Sequence, residues 1–231
     1  MLLLLASLAL QHLPARPPDL SKRAHTYSIV AYDSATGDLG VAVQSKFPNV
    51  GGLVPWAQAG IGAVATQSLS NTDYGEKGLE LMALGATAPE ALRVVMRGDP
   101  RPAQRQVGMV DGRGNAASWT GDSCFDWAGG RAGGQALGGK GQLITGRTFA
   151  AQANIMVSDQ TVRNMAEAFE RSTGALADRL MAALKAGQAG GGDKRPREGP
   201  PRSQRLKPRR QERSAPRGRN AALIGSCASG I

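Results

Sequence analysis

The chain has 231 residues, 41% of them apolar and 20% charged, a balance that supports a buried core and excludes collagen, coiled coil and wholesale disorder. Its net charge of +10 is unevenly placed, because residues 26–192 hold 14 cations and 14 anions whereas residues 193–231 hold eleven and three. The two cysteines, Cys124 and Cys227, cannot build a disulfide framework. His12 and His25 both precede the first folded pattern, which excludes a histidine metal site or a Ser-His-Asp triad.

Residues 1–10 are an apolar run broken only by Ser7, about half the roughly 20 residues that cross a bilayer, so no transmembrane segment is expected. The leader, residues 1–25, reads either as a secretory signal, which makes the protein secreted or periplasmic, or as a start upstream of the true one, which leaves it cytoplasmic. Segments 27–33 (YSIVAYD) and 38–45 (DLGVAVQS) predict a hairpin turning at Ser34-Ala35-Thr36-Gly37. That hairpin returns Ser45 and Lys46 beside Thr26, and which of the two faces it depends on register. Further strands are predicted at 61–68, 105–111, 115–120 and 151–157, the middle two joined by Gly112-Arg113-Gly114.

Four helices intervene. One, over 76–84, is expected to bury Leu79, Met82 and Ala83. Thr87 and Glu90 form a capping-box pattern ahead of Ala91, Leu92, Val95 and Met96, and Gly98 stops that helix. Ser158 is placed to cap a helix whose stripe is Val162, Met165, Ala166 and Phe169, and after Gly174 comes another with Leu176, Leu180, Ala183 and Leu184. One-sided helices beside strands apolar on both faces predict an α+β domain in which helices cover buried sheets.

Residues 196–217 are rich in Arg, Pro and Ser and too polar to join a core. They read as a disordered insertion or an out-of-frame stretch. Without aromatic residues for base stacking, no specific nucleic-acid binding is expected there. Residues 218–231 offer a closing strand and tail.

Three motifs compete for chemistry. Gly60-Ile61-Gly62-Ala63-Val64-Ala65 matches a loose dinucleotide fingerprint, but Val64-Ala65-Thr66 continues as strand where a helix should open. Cys124 has no histidine partner and is expected to be a buried structural thiol. Thr26 begins a strand, as any β-branched residue can. At a chain's N-terminus, however, a threonine carries its own base, an α-amine that titrates near 8.

In an ordered series the residues resemble a bacterial family, domain-of-unknown-function family 1028. The likeness begins at Thr26-Tyr27-Ser28-Ile29 and runs through Gly37-Asp38-Leu39-Gly40-Val41-Ala42-Val43-Gln44-Ser45-Lys46, Val54-Pro55-Trp56-Ala57, Gly60 to Gln67, and Arg105-Gln106-Val107-Gly108. It continues through Thr120-Gly121 with Cys124 to Gly191-Gly192-Asp193, and Ala153 stands where the family has glycine. The family is assigned to the N-terminal nucleophile (Ntn) hydrolases. The resemblance therefore implies a four-layer αββα sandwich of two antiparallel sheets and hydrolysis of a linear amide in a small molecule or peptide. By position it implies Thr26 as nucleophile once processing exposes it, Asp33 and Lys46 as groups that tune and orient its amine, and Asn154 as oxyanion donor. No cofactor or metal is expected, and a homo-oligomer is. The alternatives are a non-catalytic binding or scaffold protein of the same fold and, third, nonspecific nucleic-acid binding through the basic segment.

Overall fold

The computed structural model describes residues 26–47, 49–192 and, for the backbone, 221–227; the leader and the basic insertion lie outside the described residues. In chain order the elements are β1 (Thr26–Tyr32), β2 (Leu39–Ser45), β3 (Pro55–Gln58), β4 (Gly62–Ser68), α1 (Asp73–Ala83), α2 (Ala88–Gly98), β5 (Arg105–Asp111) and β6 (Asn115–Thr120). There follow β7 (Gly129–Ala132), β8 (Gln142–Arg147), β9 (Phe149–Asn154), α3 (Gln160–Arg171), α4 (Leu176–Ala189) and β10 (Ala221–Cys227).

Two five-stranded sheets form, ordered β10-β2-β1-β9-β7 and β3-β4-β5-β6-β8. All neighbours pair antiparallel, as expected, except β10, which joins the β2 edge in parallel. The β1–β2 hairpin forms because the Asp33 carboxylate accepts from Ala35 N at 3.0 Å and Gly37 takes a φ of 76° that its missing side chain permits.

Strand alternation sorts each side chain onto one of two faces. Odd residues of β1 (Tyr27, Ile29, Ala31) pack outward against Val162, Met165, Phe169, Leu180 and Leu184 of α3 and α4. On the other sheet Val64, Val107 and Met109 pack outward against Leu79, Leu92 and Val95 of α1 and α2. Between the sheets lie Val30, Val41, Val43, Ala63, Val110 and Ala150. Three apolar seams thus separate helix, sheet, sheet and helix in four layers.

Local details refine the sequence reading. The Thr87–Glu90 capping box is present in both directions, with Thr87 Oγ1 accepting from Glu90 N and Glu90 Oε2 accepting from Thr87 N. Ser158 accepts from Gln160 N, although Asp159 occupies the cap position and α3 begins one residue later. Helix α1 starts a turn earlier than predicted and buries Tyr74, Gly75 and Gly78 as well as Leu79 and Met82, while Ala83 is exposed. Gly60 opens a turn into β4 and no helix follows, so the dinucleotide geometry is absent.

Candidate active site at the Thr26 end of the sandwich

The faces that the two sheets turn toward each other change character along their length. In the first sheet the cross-strand rows run Val41–Val30–Ala150, then Val43–Ser28–Gln152, then Ser45–Thr26–Asn154. In the second they run Ala63–Val110–Ala116, then Ala65–Gly108–Ser118, then Gln67–Gln106–Thr120. One end is aliphatic and the other is built from amides and hydroxyls, all of them buried.

Buried polar groups must find partners among themselves, and here most do so, within and across the sheets. Ser28 Oγ donates to Gln67 Oε1 at 2.7 Å and accepts from Gln152 Nε2 at 2.6 Å. Gln67 Nε2 reaches Gln106 Oε1 at 2.8 Å and the Thr26 carbonyl at 3.1 Å. Gln106 Nε2 donates to Ala153 O, Thr120 Oγ1 and Gly129 O, and Asn154 Nδ2 donates to Gln106 Oε1 at 3.0 Å. Among these residues Asn154 Oδ1, Gln152 Oε1 and Ser118 Oγ have no hydrogen-bond partner.

Thr26 is 2% exposed and its hydroxyl faces this network, donating to Ser45 Oγ at 3.1 Å; the same oxygen accepts from Phe47 N. Register is thereby settled, with Ser45 opposite Thr26 and Lys46 one residue beyond, half-buried. Asn154 is the other cross-strand neighbour of Thr26. Asp33 is not part of this group. It follows Tyr32 at the opposite end of β1, about 20 Å away along the strand, and pairs with Arg179 at 3.6 Å. Proximity to Thr26 is thus corrected for Asp33, which organises the hairpin turn instead.

Ala153, the residue in place of glycine, points outward into the seam against α3 and α4, so its methyl group is accommodated away from Thr26. Two residues in the left-handed region flank the polar end: Ser68 follows Gln67 with φ 70°, and Ile155 follows Asn154 with φ 60°. For a β-branched isoleucine that conformation is strained, and such strain concentrates at functional sites.

Cys124 lies nearby, buried, its thiol on Arg105 O at 3.4 Å. Burial pushes the thiol's pKa up, which keeps it protonated and supports the structural reading. Arg105 itself forms a buried pair with Asp99 at 2.7 Å. Burial favours the neutral acid, but hydrogen bonds from Arg105 and Arg101 N, with the Arg105 charge, prevail and bring Asp99 to about 2. Tyr74 beside it is pushed well up, first by burial and then by the Asp99 charge, although its hydroxyl makes no hydrogen bond of good geometry. A groove of about 340 Å³ between α1 and α2 reaches Asp99 from the outer face of the second sheet, away from Thr26. Among the described residues no cluster of His, Cys, Asp or Glu is arranged to hold a metal ion, and no helix is long and apolar enough to cross a membrane.

A family model described as a family of unknown function, DUF1028, matches residues 26–207. The chain belongs to the DUF1028 family. A solved member, protein SPO2555 from Silicibacter pomeroyi, is 30% identical over 71% of this chain and 70% of that one, with a TM-score of 0.63. No curated protein matches. The family match begins at the residue whose hydroxyl faces the polar end.

The amide ladder of Gln67, Gln106 and Gln152 was not singled out by sequence reasoning. The available signal was parity: Gln67 shares the strand face of Ala63 and Ala65, and Gln106 that of Val110, which places an amide where an apolar residue is expected.

Proposed function

We propose that this protein is an Ntn-type hydrolase that cleaves a linear amide bond of a small molecule or peptide, with Thr26 as nucleophile in a chain processed to begin there. The observation that carries this reading is the position of Thr26 Oγ1: first residue of the first strand, turned into a buried polar end and hydrogen-bonded to Ser45. The Thr26 hydroxyl attacks the amide carbonyl while the Thr26 α-amine takes its proton. The C–N bond then breaks, the amine product leaves with that proton, and water hydrolyses the Thr26 ester. Lys46, adjacent to Ser45, disfavours protonation of the amine through like charge. Removal of residues 1–25 as an export leader would supply the free amine. Asn154 Nδ2 gives one of its two hydrogens to Gln106, and the second N–H is the one left for the oxyanion role expected for Asn154.

Intact mass and N-terminal sequencing of the purified protein, followed by labelling with an electrophilic β-lactone, test the reading. Thr26→Ala is expected to abolish labelling without unfolding, and Thr26→Ser to retain part of it. A chain that keeps residues ahead of Thr26, or a Thr26→Ala protein that labels like the parent, defeats it. The near-complete burial of Thr26 favours the second reading, a non-catalytic binding or scaffold protein of the same fold.

A further inference from the structure

A side-chain amide can be turned end for end, so its polarity must be fixed by partners whose identity is not in question. Gln106 has such partners. Two of the three acceptors of its nitrogen are main-chain carbonyls, Ala153 O at 2.9 Å and Gly129 O at 3.2 Å, which only a donor can satisfy. Gln106 Oε1 is therefore the acceptor end, and both groups that meet it, Gln67 Nε2 and Asn154 Nδ2, are donors. The polarity of Asn154 follows: its nitrogen gives one hydrogen to Gln106, and its buried oxygen is left without a donor. Asn154 and Thr26 are directly opposed on β9 and β1, where side chains of a facing pair lie about 5 Å apart at Cβ.

We propose that Gln106 is a positioning residue that locks the Asn154 amide so that Asn154 Oδ1 accepts a hydrogen bond from the α-amino group of Thr26. This rests on the reading of Thr26 as a processed N-terminus. It adds to the expected part of Asn154, donor toward an oxyanion, that of acceptor for the base. The row around Thr26 contains no charge. The charged groups closest in chain to its members are Lys46 beyond Ser45, Asp122 beyond Thr120, and Arg105 before Gln106, the last paired with Asp99.

The test is the titration of the Thr26 α-amine, followed by the pH dependence of its acetylation rate in intact protein and resolved by peptide mass spectrometry. An acceptor favours the charged amine, so Asn154→Leu is expected to lower its pKa, and Asn154→Asp, nearly isosteric and negatively charged, to raise it by about one unit or more. Gln106→Met, which frees Asn154 to turn over, is expected to lower it in the same sense as Asn154→Leu. If Gln106→Met fails to fold, the two Asn154 variants decide. An amine that titrates identically in parent, Asn154→Leu and Asn154→Asp overturns this inference and leaves the hydrolase reading standing. A chain that has no free amine at Thr26 overturns both.

Discussion

Gln67 and Thr26 belong to different sheets, and the Gln67 side-chain nitrogen donates across the interface to the Thr26 carbonyl at 3.1 Å. The same side chain accepts from Ser28 at 2.7 Å and donates to Gln106 at 2.8 Å, so one residue satisfies three buried groups on two strands. Gln67→Leu keeps much of the volume and removes all three bonds. With each orphaned buried group costing about 1–3 kcal/mol, a loss of about 3 kcal/mol is expected. Urea unfolding measures it, and an unchanged midpoint would show that the network contributes no net stability.

Acid should weaken the fold through Asp99. Its folded pKa of about 2 lies below the ordinary value near 3.9, so the unfolded chain binds the proton more readily. The contribution is fully present above about pH 5 and is lost as pH falls through 2, with a ceiling of about 2.5 kcal/mol. Asp99→Asn should be less stable than the parent at neutral pH and show a flatter decline between pH 5 and 2. Equal slopes in the two proteins would assign acid sensitivity to other carboxylates.

Gly108 is expected to tolerate no side chain. A methyl group there would overlap Gln152 Oε1, whose amide also bonds Ser28. Gly108→Ala should cost about 1–3 kcal/mol by overpacking. Because the clash is with a single side chain, Gly108→Ala combined with Gln152→Ala should destabilise by less than the sum of the two changes. Strict additivity in thermal unfolding would mean that the methyl group meets something else.

Much of the fold was legible because local and tertiary preferences agree. The first hairpin, the Thr87 capping box and the stripes of α3 and α4 follow from alternation, cap chemistry and helical period, and all are observed. Strands β3, β7 and β8 were missed, the last two for one reason. Their stretch, 128–147, is dense in glycine, and neither alternates apolar with polar residues as a predicted strand should. They exist because β9 and β6 offer edges to pair with, a tertiary cause that no local pattern carries. Of the candidate site residues, Thr26 and Asn154 are cross-strand neighbours, whereas the analogy that brought Asp33 to them ignored the length of a seven-residue strand.

Cys124 should behave as a structural thiol. Burial raises its pKa and its hydrogen bond goes to a main-chain carbonyl, so iodoacetamide should modify it far more slowly in the native protein than in urea. Cys124→Ala is expected to leave β-lactone labelling at Thr26 within about twofold and to cost about 1 kcal/mol in stability. Peptide-resolved alkylation at pH 8 checks the first statement; rapid native modification would identify an activated thiol and revive it as a nucleophile.

Ser45 separates two accounts of how Thr26 loses its proton. In the folded chain the Thr26 hydroxyl donates to Ser45 Oγ, which also receives Phe47 N, so Ser45 is a settled acceptor and the first group to which a relayed proton would pass. A serine hydroxyl is a poor base, however, whereas an α-amine with a pKa near 8 has a substantial neutral fraction at neutral pH. If the amine is the base, Ser45 only orients the hydroxyl. Ser45→Ala should then reduce β-lactone labelling by less than about tenfold, one hydrogen bond of about 1 kcal/mol, and leave the pH at half-maximal rate unchanged. If the proton passes through Ser45, the loss should reach the hundredfold or more typical of removing an acid–base group. Rates across pH 5 to 9 for parent and Ser45→Ala decide between them, and a hundredfold loss would move the base from the amine to the β2 strand.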